Sequence, residues 1–508
     1  IPLLSCAACK MFDTDSRVSK VLGTVLQMGA PWAEQKSSSG APTTFSFSTN
    51  GPSKLPVRFI TEASVAFYAT RKTGLLRAIP NIDMMTRAIE IAYSHSPSQS
   101  VEVVNRSHAL VYAFVAFCSL AGHSQEISYP VDGKALLMEA KRLSSDGESS
   151  PSSFESLQVS LLLVRYVLLV TYTTQALCHC LLGALLEARE TVSIIASQLT
   201  ELAINNHFFE SSPEGLPSNL DAETEYPDVL RDLLWISLMV DNEIFLRTGH
   251  PPLILAKFAT AAALPCEYQF SSQFLSRFLP ARGADPRADV YIYMADLTLH
   301  VSRLYISLYA PEAISKSSVE LLQTIISLDN QLEEWRRSIP QSFRPTIHVL
   351  NLPTNSLRDI DLLLLNLKFH HILGCIHQVV NRCQSWAGET ATFHEALESS
   401  LRPSLQASVS SLELLRATQV ALNPEMFWFI CFYLFSAHLN LFCNVVASPC
   451  DPQNHARLQI LQSSPAFLRC IDTCHLTRVE VEQLSVLVEF CTDLVTHAEH
   501  EVAAANSV

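Results

Sequence analysis

The length, composition and charge of this chain limit its fold and the molecules that it can bind. Of its 508 residues, 48% are hydrophobic and 17% are charged, so most of the chain is too apolar to be disordered. Only 14 residues are glycine, which favours helices over a turn-rich β architecture. The formal net charge is −14, whereas binding duplex DNA by bulk electrostatics needs a basic face. If the protein works on DNA, another segment must therefore make the contact.

The cysteines are scattered along the chain, and most lie inside apolar runs, where a free thiol behaves as a small hydrophobic residue. No secretory signal with a basic start and a cleavage site opens the sequence, so we expect a reducing cytosol or nucleus. The chain begins at Ile1 and not at Met. We therefore expect a fragment whose true N-terminus is missing.

The pattern of polar and apolar residues predicts a helical chain after a short linker. Residues 35–56 are rich in Ser, Thr, Gly and Pro, which indicates a linker, and from Val57 onward the pattern is helical. The polar breaks in it are too short to tether independent domains, and they lie at 94–100, 144–153, 211–227 and 280–289. We predict an all-α fold: a large single helical array with short loops and no significant sheet.

The clearest single helix is predicted from Ser317 to Ile339. Ser317 and Glu320 have the spacing of a capping box, and Pro340 stops the helix. Glu333 lies one turn before two arginines on the solvated side. One buried stripe is predicted at Leu322, Ile325, Ile326, Leu332, Trp335 and Ile339.

Two apolar segments have the length of a membrane span. Residues 427–448 contain no Asp, Glu, Lys or Arg, but His438 and Asn440 would need hydrogen-bond partners in lipid. Residues 157–188 carry Arg165, which costs about 2.5–3.5 kcal/mol at the centre of a span. A buried core helix is favoured over a span in both cases.

Several groups have the spacing of metal ligands. Cys6 and Cys9 form half of a possible zinc site, but the next cysteine is Cys118, whereas a binuclear cluster needs its thiolates close together. The other groups lie on apolar or amphipathic helices, where packing is the favoured role; they are Cys178, His179, Cys180, Cys470, Cys474 and His475. We predict no metal site in this chain.

A histidine-rich helix lies at residues 368–378, with His370, His371 and His377. A base or a metal ligand there would need a carboxylate or thiolate partner, and Cys375 is the nearest one in sequence. Core or interhelical histidines are the favoured interpretation.

The sequence lacks the Gly-rich motifs that most enzyme classes of this size carry. It contains no G-x-S-x-G elbow, no Gly-rich loop before Lys-Ser or Lys-Thr, and no dinucleotide fingerprint. We therefore predict no enzymatic activity and no catalytic residues.

Residues 231–265 read RDLLWISLMVDNEIFLRTGHPPLILAKFATAAALP. This stretch resembles the signature of the fungal-specific transcription factor domain, the regulatory middle homology region of the binuclear zinc-cluster family. The positions of this chain that match the signature are Arg231, Leu234, Trp235, Asp241, Gly249, Pro251, Leu264 and Pro265. Two positions depart from it: Asn242 stands where a basic residue is usual, and His250 replaces the Arg of the Gly-Arg-Pro corner.

Other blocks resemble the same family in the same order. They lie at residues 66–93, 155–158, 304–345, 368–378 and 424–444, and the third contains Trp335 and an Ile-Pro step at Pro340. The resemblance covers roughly residues 57–465. One region fits poorly, because residues 165–187 run on without the family's polar turn. We take this as a hypothetical insertion or translated non-coding sequence.

The resemblance implies the organisation and the role of the chain. Residues 1–56 would be an N-terminal segment and linker, 57–465 the regulatory domain, and 466–508 a C-terminal helical extension. The intact protein would be a nuclear transcription factor controlling RNA polymerase II transcription of a metabolic or biosynthetic pathway. It would bind promoter DNA through a zinc-containing N-terminal module that this chain lacks. Its implied partners are the transcription machinery or co-regulators, a small-molecule effector and a second copy of the chain, with no membrane.

The signature residues also have physical roles of their own. Arg231 and Asp241 are costly to bury in an apolar helix, so each should have a polar partner. Gly249 and the prolines after it should end the helix, and Trp235 should anchor its packing. We favour fold-determining over ligand-binding roles for them.

Two alternatives to a transcription regulator remain. A helical protein-interaction scaffold without DNA binding would show repeats of fixed period, which the sequence does not contain. An enzyme or membrane protein would show a polar pocket with convergent titratable groups, or would need detergent.

Overall fold

The computed structural model describes residues 55–70, 82–94, 101–120, 131–145, 171–180, 184–206, 226–254, 286–347, 359–382, 391–418, 427–471, 473 and 478–506. Every regular element in these ranges is helical, and they contain no strand. The predicted all-α fold is confirmed.

The described α-helices are α1 (Arg58–Thr70), α2 (Ile82–Tyr93), α3 (Val101–Leu120), α4 (Gly133–Ser145), α5 (Leu185–Asn206), α6 (Tyr226–Thr248), α7 (Pro286–Leu304), α8 (Pro311–Ile314), α9 (Ser318–Ser338), α10 (Ile360–Gln378), α11 (Ala391–Ala417), α12 (Phe427–Ala447), α13 (Asn454–Arg469) and α14 (Arg478–Ala505). A π-helix covers Tyr305–Tyr309, a 3-10 helix covers Val379–Arg382, and residues 171–180 are also helical.

The described chain divides into two compact units. The N-terminal unit takes the described residues up to Phe245, together with Pro252–Ala295. The C-terminal unit takes Leu246–Pro251 and the described residues from Asp296 onward. The domain boundaries predicted at 56 and 465 stay predictions.

The N-terminal unit is built around α3, against which α1, α2 and α4 pack. Every residue from Ala109 to Cys118 is buried, because this part of α3 is apolar around its circumference. The buried Arg106 donates from Nη1 to the Ser144 carbonyl oxygen at 3.2 Å, and so satisfies a carbonyl of the last turn of α4. At the start of α4, a Cβ on Gly133 would lie only 3.1 Å from Leu120 Cγ. These contacts fix α4 against α3.

The core of the C-terminal unit is formed by α10, α11 and α12, which pack on one another. Helix α13 packs against α11 and α12, and α14 packs against α12 and α13. The rings of Phe435 on α12 and Phe490 on α14 have centroids 5.4 Å apart. Helix α9 packs on α10, where the Trp335 and Phe369 rings stack with centroids 6.2 Å apart. Large aromatic side chains therefore join neighbouring helices of this unit.

Helix α9 has the predicted capping box at its N-terminus and the predicted pairing of Glu333 with two arginines. Ser317 Oγ accepts a hydrogen bond from the Glu320 N–H, and Glu320 Oε2 accepts one from the Ser317 N–H at 2.9 Å. Glu333 pairs with Arg336 at 2.6 Å and with Arg337 at 2.7 Å. The predicted capping box and the ion pairs are confirmed.

The predicted buried face of α9 is wrong in part. Ile325, Leu332, Trp335 and Ile339 are buried, but Leu321 and Leu328 are buried with them, whereas Ile326 is 59% exposed and Leu322 is half-buried. The buried residues follow alternating steps of four and three, which gives a narrow stripe. Spacing alone could not tell which of two neighbouring leucines or isoleucines lies at its centre.

Helix α12 is buried in the core, as the sequence favours. By length and composition, the windows Val103–Leu120 and Phe429–Ala447 could each cross a membrane, but 67% and 72% of them are buried inside the fold. Two polar residues of α12 have partners on neighbouring helices: Ser436 Oγ lies 3.2 Å from His371 Nδ1, and Asn440 Nδ2 donates to Ser408 Oγ at 2.7 Å. Neither ring nitrogen of the buried His438 has a hydrogen-bond partner among the described residues. The contacts of Ser436 and Asn440 support a core helix.

The prediction that residues 165–187 run without a turn is wrong. Residues 171–180 are helical and buried, whereas Ala184 lies outside regular structure and α5 begins directly after it. The Ala184 N–H donates to the His179 carbonyl oxygen at 2.8 Å, a spacing of five residues that breaks the α-helical ladder. The rest of this stretch before α5 lies outside the described residues, and its origin as an insertion stays a hypothesis.

Candidate regulatory site

The segment that carries the family signature ends in a sharp corner. Helix α6 ends at Thr248, and the next residue, Gly249, has a φ of 74°, which a residue with a Cβ rarely adopts. The N–H of the exposed His250 donates to Thr248 Oγ1 at 3.1 Å. Pro251, which is exposed, and Pro252, which is buried, follow, and neither has an N–H with which to continue a helix. The expected helix end at Gly249 is confirmed.

Asp241 ties α6 to the chain beyond this corner. Its carboxylate is buried, and Oδ2 accepts a hydrogen bond from the Ile254 N–H at 2.7 Å. The other oxygen, Oδ1, accepts no hydrogen bond from the residues that the structure describes. Burial raises the pKa of Asp241 to about 6, although backbone hydrogen bonds and the charge of Arg189 oppose this. The partner expected for Asp241 is therefore a backbone amide.

Arg247 is a buried cation that the sequence analysis did not single out. It is 1% exposed, and its guanidinium carbon lies 3.6 Å from the centroid of the Phe429 ring, within the same unit. A cation this close to an aromatic face is attracted by the ring quadrupole. Its position in the apolar run before Gly249 was a signal that could have found it.

Trp335 and Pro340 are placed at the end of α9. Trp335 is buried between His300, whose ring centroid is 5.8 Å away, and Phe369. Burial lowers the pKa of His300 to about 4, so this ring is neutral near pH 7. Helix α9 ends at Ser338, and Pro340 is exposed beyond it. Both residues serve packing and chain direction in this structure.

The remaining signature residues cannot all be placed. Arg231 and Trp235 lie on α6, but their side chains are not among those described. Leu264 and Pro265 lie outside the described residues. The predicted roles of these four residues stay predictions.

A small cavity with both polar and apolar lining residues lies among α10, α11 and α12 in the C-terminal unit. Its volume is about 30 Å³. None of the described residues that line it is Asp, Glu, Lys or Arg. Its polar lining consists of His370, His371, Gln378, Ser408, Ser411, Tyr433, Ser436 and Asn440. Both histidines and Asn440 could be named from the sequence as polar residues in need of partners, but their convergence with Ser408 and Ser411 could not, because these serines lie on another helix.

The hydrogen bonds of His370 fix its tautomer. Nε2 lies 2.8 Å from the Thr346 carbonyl oxygen, which only accepts, so Nε2 carries the proton. Nδ1, 3.1 Å from Ser411 Oγ, must then accept the proton of that hydroxyl. Burial lowers the pKa of His370 to about 4, so this neutral form persists near pH 7. His370 thus has the interhelical role that the sequence favours.

His371 joins α10 to α12. Its Nδ1 lies 3.2 Å from Ser436 Oγ, and its Nε2 lies 3.5 Å from Cys375 Sγ. Burial raises the pKa of the Cys375 thiol to about 12, so the sulfur is protonated and is a poor nucleophile or metal ligand. His371 therefore has no thiolate partner in Cys375, and its contacts favour an interhelical packing role.

The comparison with protein families identifies the region that contains the corner. Residues 88–337 match the model described as the fungal specific transcription factor domain. This part of the chain belongs to that family. The corner and Trp335 lie inside the matched region of the fungal specific transcription factor domain, whereas Pro340 and most residues that line the cavity lie beyond it.

Two relatives carry the same description, "ABC-transporter-regulating transcription factor", one from Aspergillus oryzae and one from Aspergillus fumigatus. Each is 24% identical to this chain over 247 residues, which are 46% of this chain but 27% of the relative. The alignment therefore covers about a quarter of the length of either relative. Family and relatives are described as transcription factors and not as enzymes. No solved structure matches the chain.

The described residues do not fit the zinc cluster that the family resemblance implies. They contain no group of three or more His, Cys, Asp or Glu side chains that could hold a metal ion. Cys178 and Cys180 are buried, and Cys470 is exposed. The pair Cys6 and Cys9, and also Cys474 with His475, lie outside the described residues.

Proposed function

We propose that this chain is the regulatory part of a fungal zinc-cluster transcription factor that controls RNA polymerase II transcription of a metabolic or biosynthetic pathway in the nucleus. The observation that carries the proposal is the family match at residues 88–337. The net charge of −14 makes this chain unsuited to bind DNA by bulk electrostatics, which supports a separate DNA-binding module. Promoter DNA is bound by a separate zinc-containing module, and this chain contacts the transcription machinery or co-regulators.

The regulated step would be a change in the population of two conformations of the helical body. A small-molecule effector, or pairing with a second copy of the chain, acts only if it binds one conformation more tightly than the other. The buried contacts at the corner support this proposal, because packed helical cores change between discrete arrangements more readily than they deform continuously. The proposal includes no membrane-bound form.

The names of the two relatives suggest one class of target gene. Both are called regulators of ABC transporters. Genes for transporters are therefore tested beside genes of metabolic or biosynthetic pathways, by comparing transcripts of fungal strains with and without the gene for this protein.

The direct test fuses the complete chain to a bacterial repressor domain in a fungal host with a reporter gene behind the matching operator. We expect reporter transcription to change relative to the repressor domain alone, and not to change when the operator is deleted. Circular dichroism of the purified fusion checks that it is helical, and fluorescence microscopy checks that it is nuclear. A folded, nuclear fusion that leaves the reporter unchanged would overturn the proposal and favour a helical interaction scaffold without a transcriptional role.

A further inference from the structure

The cavity among α10, α11 and α12 has the size and polarity of a hydration site. Its volume of about 30 Å³ gives room for about one or two water molecules, and not for a larger metabolite. No charged side chain of the described residues lines it, so an ionic ligand would lose its hydration without gaining a counter-charge from them. Its occupant should therefore be small, neutral and able to form hydrogen bonds.

Two oxygen atoms in the lining, Ser411 Oγ and Asn440 Oδ1, can each accept a further hydrogen bond. Ser411 gives its hydroxyl proton to His370 Nδ1, which leaves lone pairs on Ser411 Oγ. Asn440 donates from Nδ2 to Ser404 Oγ at 3.0 Å and to Ser408 Oγ at 2.7 Å, while its Oδ1 receives no hydrogen bond from the described protein. The occupant should therefore be a donor, and water supplies two O–H groups.

Gly374 helps to keep this space open. A Cβ built at this position would have Ser404 Oγ, at 3.9 Å, as its nearest neighbour. The space is therefore not filled by packing atoms on the α10 side. The lining also contains Leu246, Leu367, Phe432 and Phe435. Water is therefore expected on the side of the cavity where the hydrogen-bonding groups lie, since a void lined only by apolar residues stays dry.

We propose that this cavity binds one or two water molecules, which donate hydrogen bonds to Ser411 Oγ and Asn440 Oδ1 and so link α11 to α12. The water completes the polar layer that begins at His370. This layer sets the register of the three helices, because shifting one of them would leave buried polar groups unpaired.

Magnetic relaxation dispersion of oxygen-17 water tests the proposal on the complete chain in solution. The variant Ser411→Val removes the acceptor and places methyl groups in the cavity. We expect it to hold about one or two fewer long-lived internal waters than the wild type. The matched control Ser197→Val makes the same substitution at an exposed position of α5 and should leave the number unchanged. Equal numbers for the wild type and Ser411→Val would overturn the proposal.

A crystal of the complete chain under xenon pressure gives an independent measurement. Xenon enters dry apolar cavities and is excluded from hydrated polar ones. We expect water density within hydrogen-bond distance of Ser411 Oγ and Asn440 Oδ1, with no xenon peak. A xenon peak, or an empty cavity, would refute the hydration site even if the solution measurement agreed with it.

Discussion

The buried carboxylate of Asp241 should make stability depend on pH in a way that one substitution removes. Asp241→Asn replaces the charge by a neutral amide of nearly the same shape. The amide oxygen can still accept from the Ile254 N–H, as Oδ2 does at 2.7 Å. The amide nitrogen takes the place of Oδ1, which has no partner in the described part of the chain. The changed hydrogen bonding should therefore alter the free energy of unfolding by the same amount at every pH. Only the loss of the titratable carboxyl group should add a difference that depends on pH.

The size of that difference follows from the shifted pKa. Burial raises the pKa of Asp241 from 3.8 to about 6, and roughly two units correspond to about 3 kcal/mol. The folded state holds the proton more tightly than the unfolded state. The contribution of the Asp241 carboxyl group to the free energy of unfolding is therefore fully present below about pH 4, and it is lost as the pH rises through about 6. The free energy of unfolding of Asp241→Asn, relative to wild type, should rise by about 3 kcal/mol between pH 4 and pH 7.

Urea unfolding of the complete chain, followed by circular dichroism at several pH values, measures this difference. Burial lowers the pKa of histidines such as His370 to about 4, so their protonation at low pH lowers the free energy of unfolding. This effect is equal in both proteins, so it cancels in the difference. Asp493→Asn removes an exposed carboxylate of α14 and should show little pH-dependent change. A difference between wild type and Asp241→Asn that stays constant from pH 4 to pH 7 would refute the reasoning.

Three further predictions concern stability and are checked by chemical unfolding of the complete chain. Gly133→Ala should destabilise by about 1–3 kcal/mol, because its methyl would lie 3.1 Å from Leu120 Cγ and 3.2 Å from the Ala116 carbonyl oxygen; an unchanged or larger free energy of unfolding would contradict the packing at this site. Ser317→Ala should cost about 1 kcal/mol through loss of the N-cap of α9, and no loss would mean that the cap is dispensable. Phe429→Leu should cost about 1–2 kcal/mol, since it removes the ring 3.6 Å from the buried Arg247 guanidinium, and a smaller loss in Phe429→Tyr would separate the ring contact from packing.

Local features of the fold could be predicted from the sequence because they depend on neighbouring residues. The capping box of Ser317 and Glu320 closes within one turn, so its spacing alone identifies it. The end of α6 at Gly249 follows from a glycine and two prolines. The all-α class follows from helical periodicity repeated along the chain.

The errors in the predicted buried face of α9 concern which of its residues pack against other helices. Ile326 fits the helical spacing as well as Leu328 does, yet Ile326 is exposed and Leu328 is buried. Periodicity gives the width of an apolar stripe but not its centre, which is set by the helix that packs on it.

The candidate sites depend on partners that are distant in sequence. The sequence by itself indicated that Asp241 needs a polar partner and that His370 is interhelical, because burying such groups alone is costly. Only the tertiary structure decided that these partners are the Ile254 amide, the Thr346 carbonyl oxygen and the Ser411 hydroxyl. It alone placed Arg247 over Phe429. Hydrogen bonds within one helical turn are fixed by spacing along the chain. The Asp241–Ile254 bond forms only once the chain has turned at Gly249, and the contacts of His370 and Arg247 form only after segments far apart in sequence have packed together.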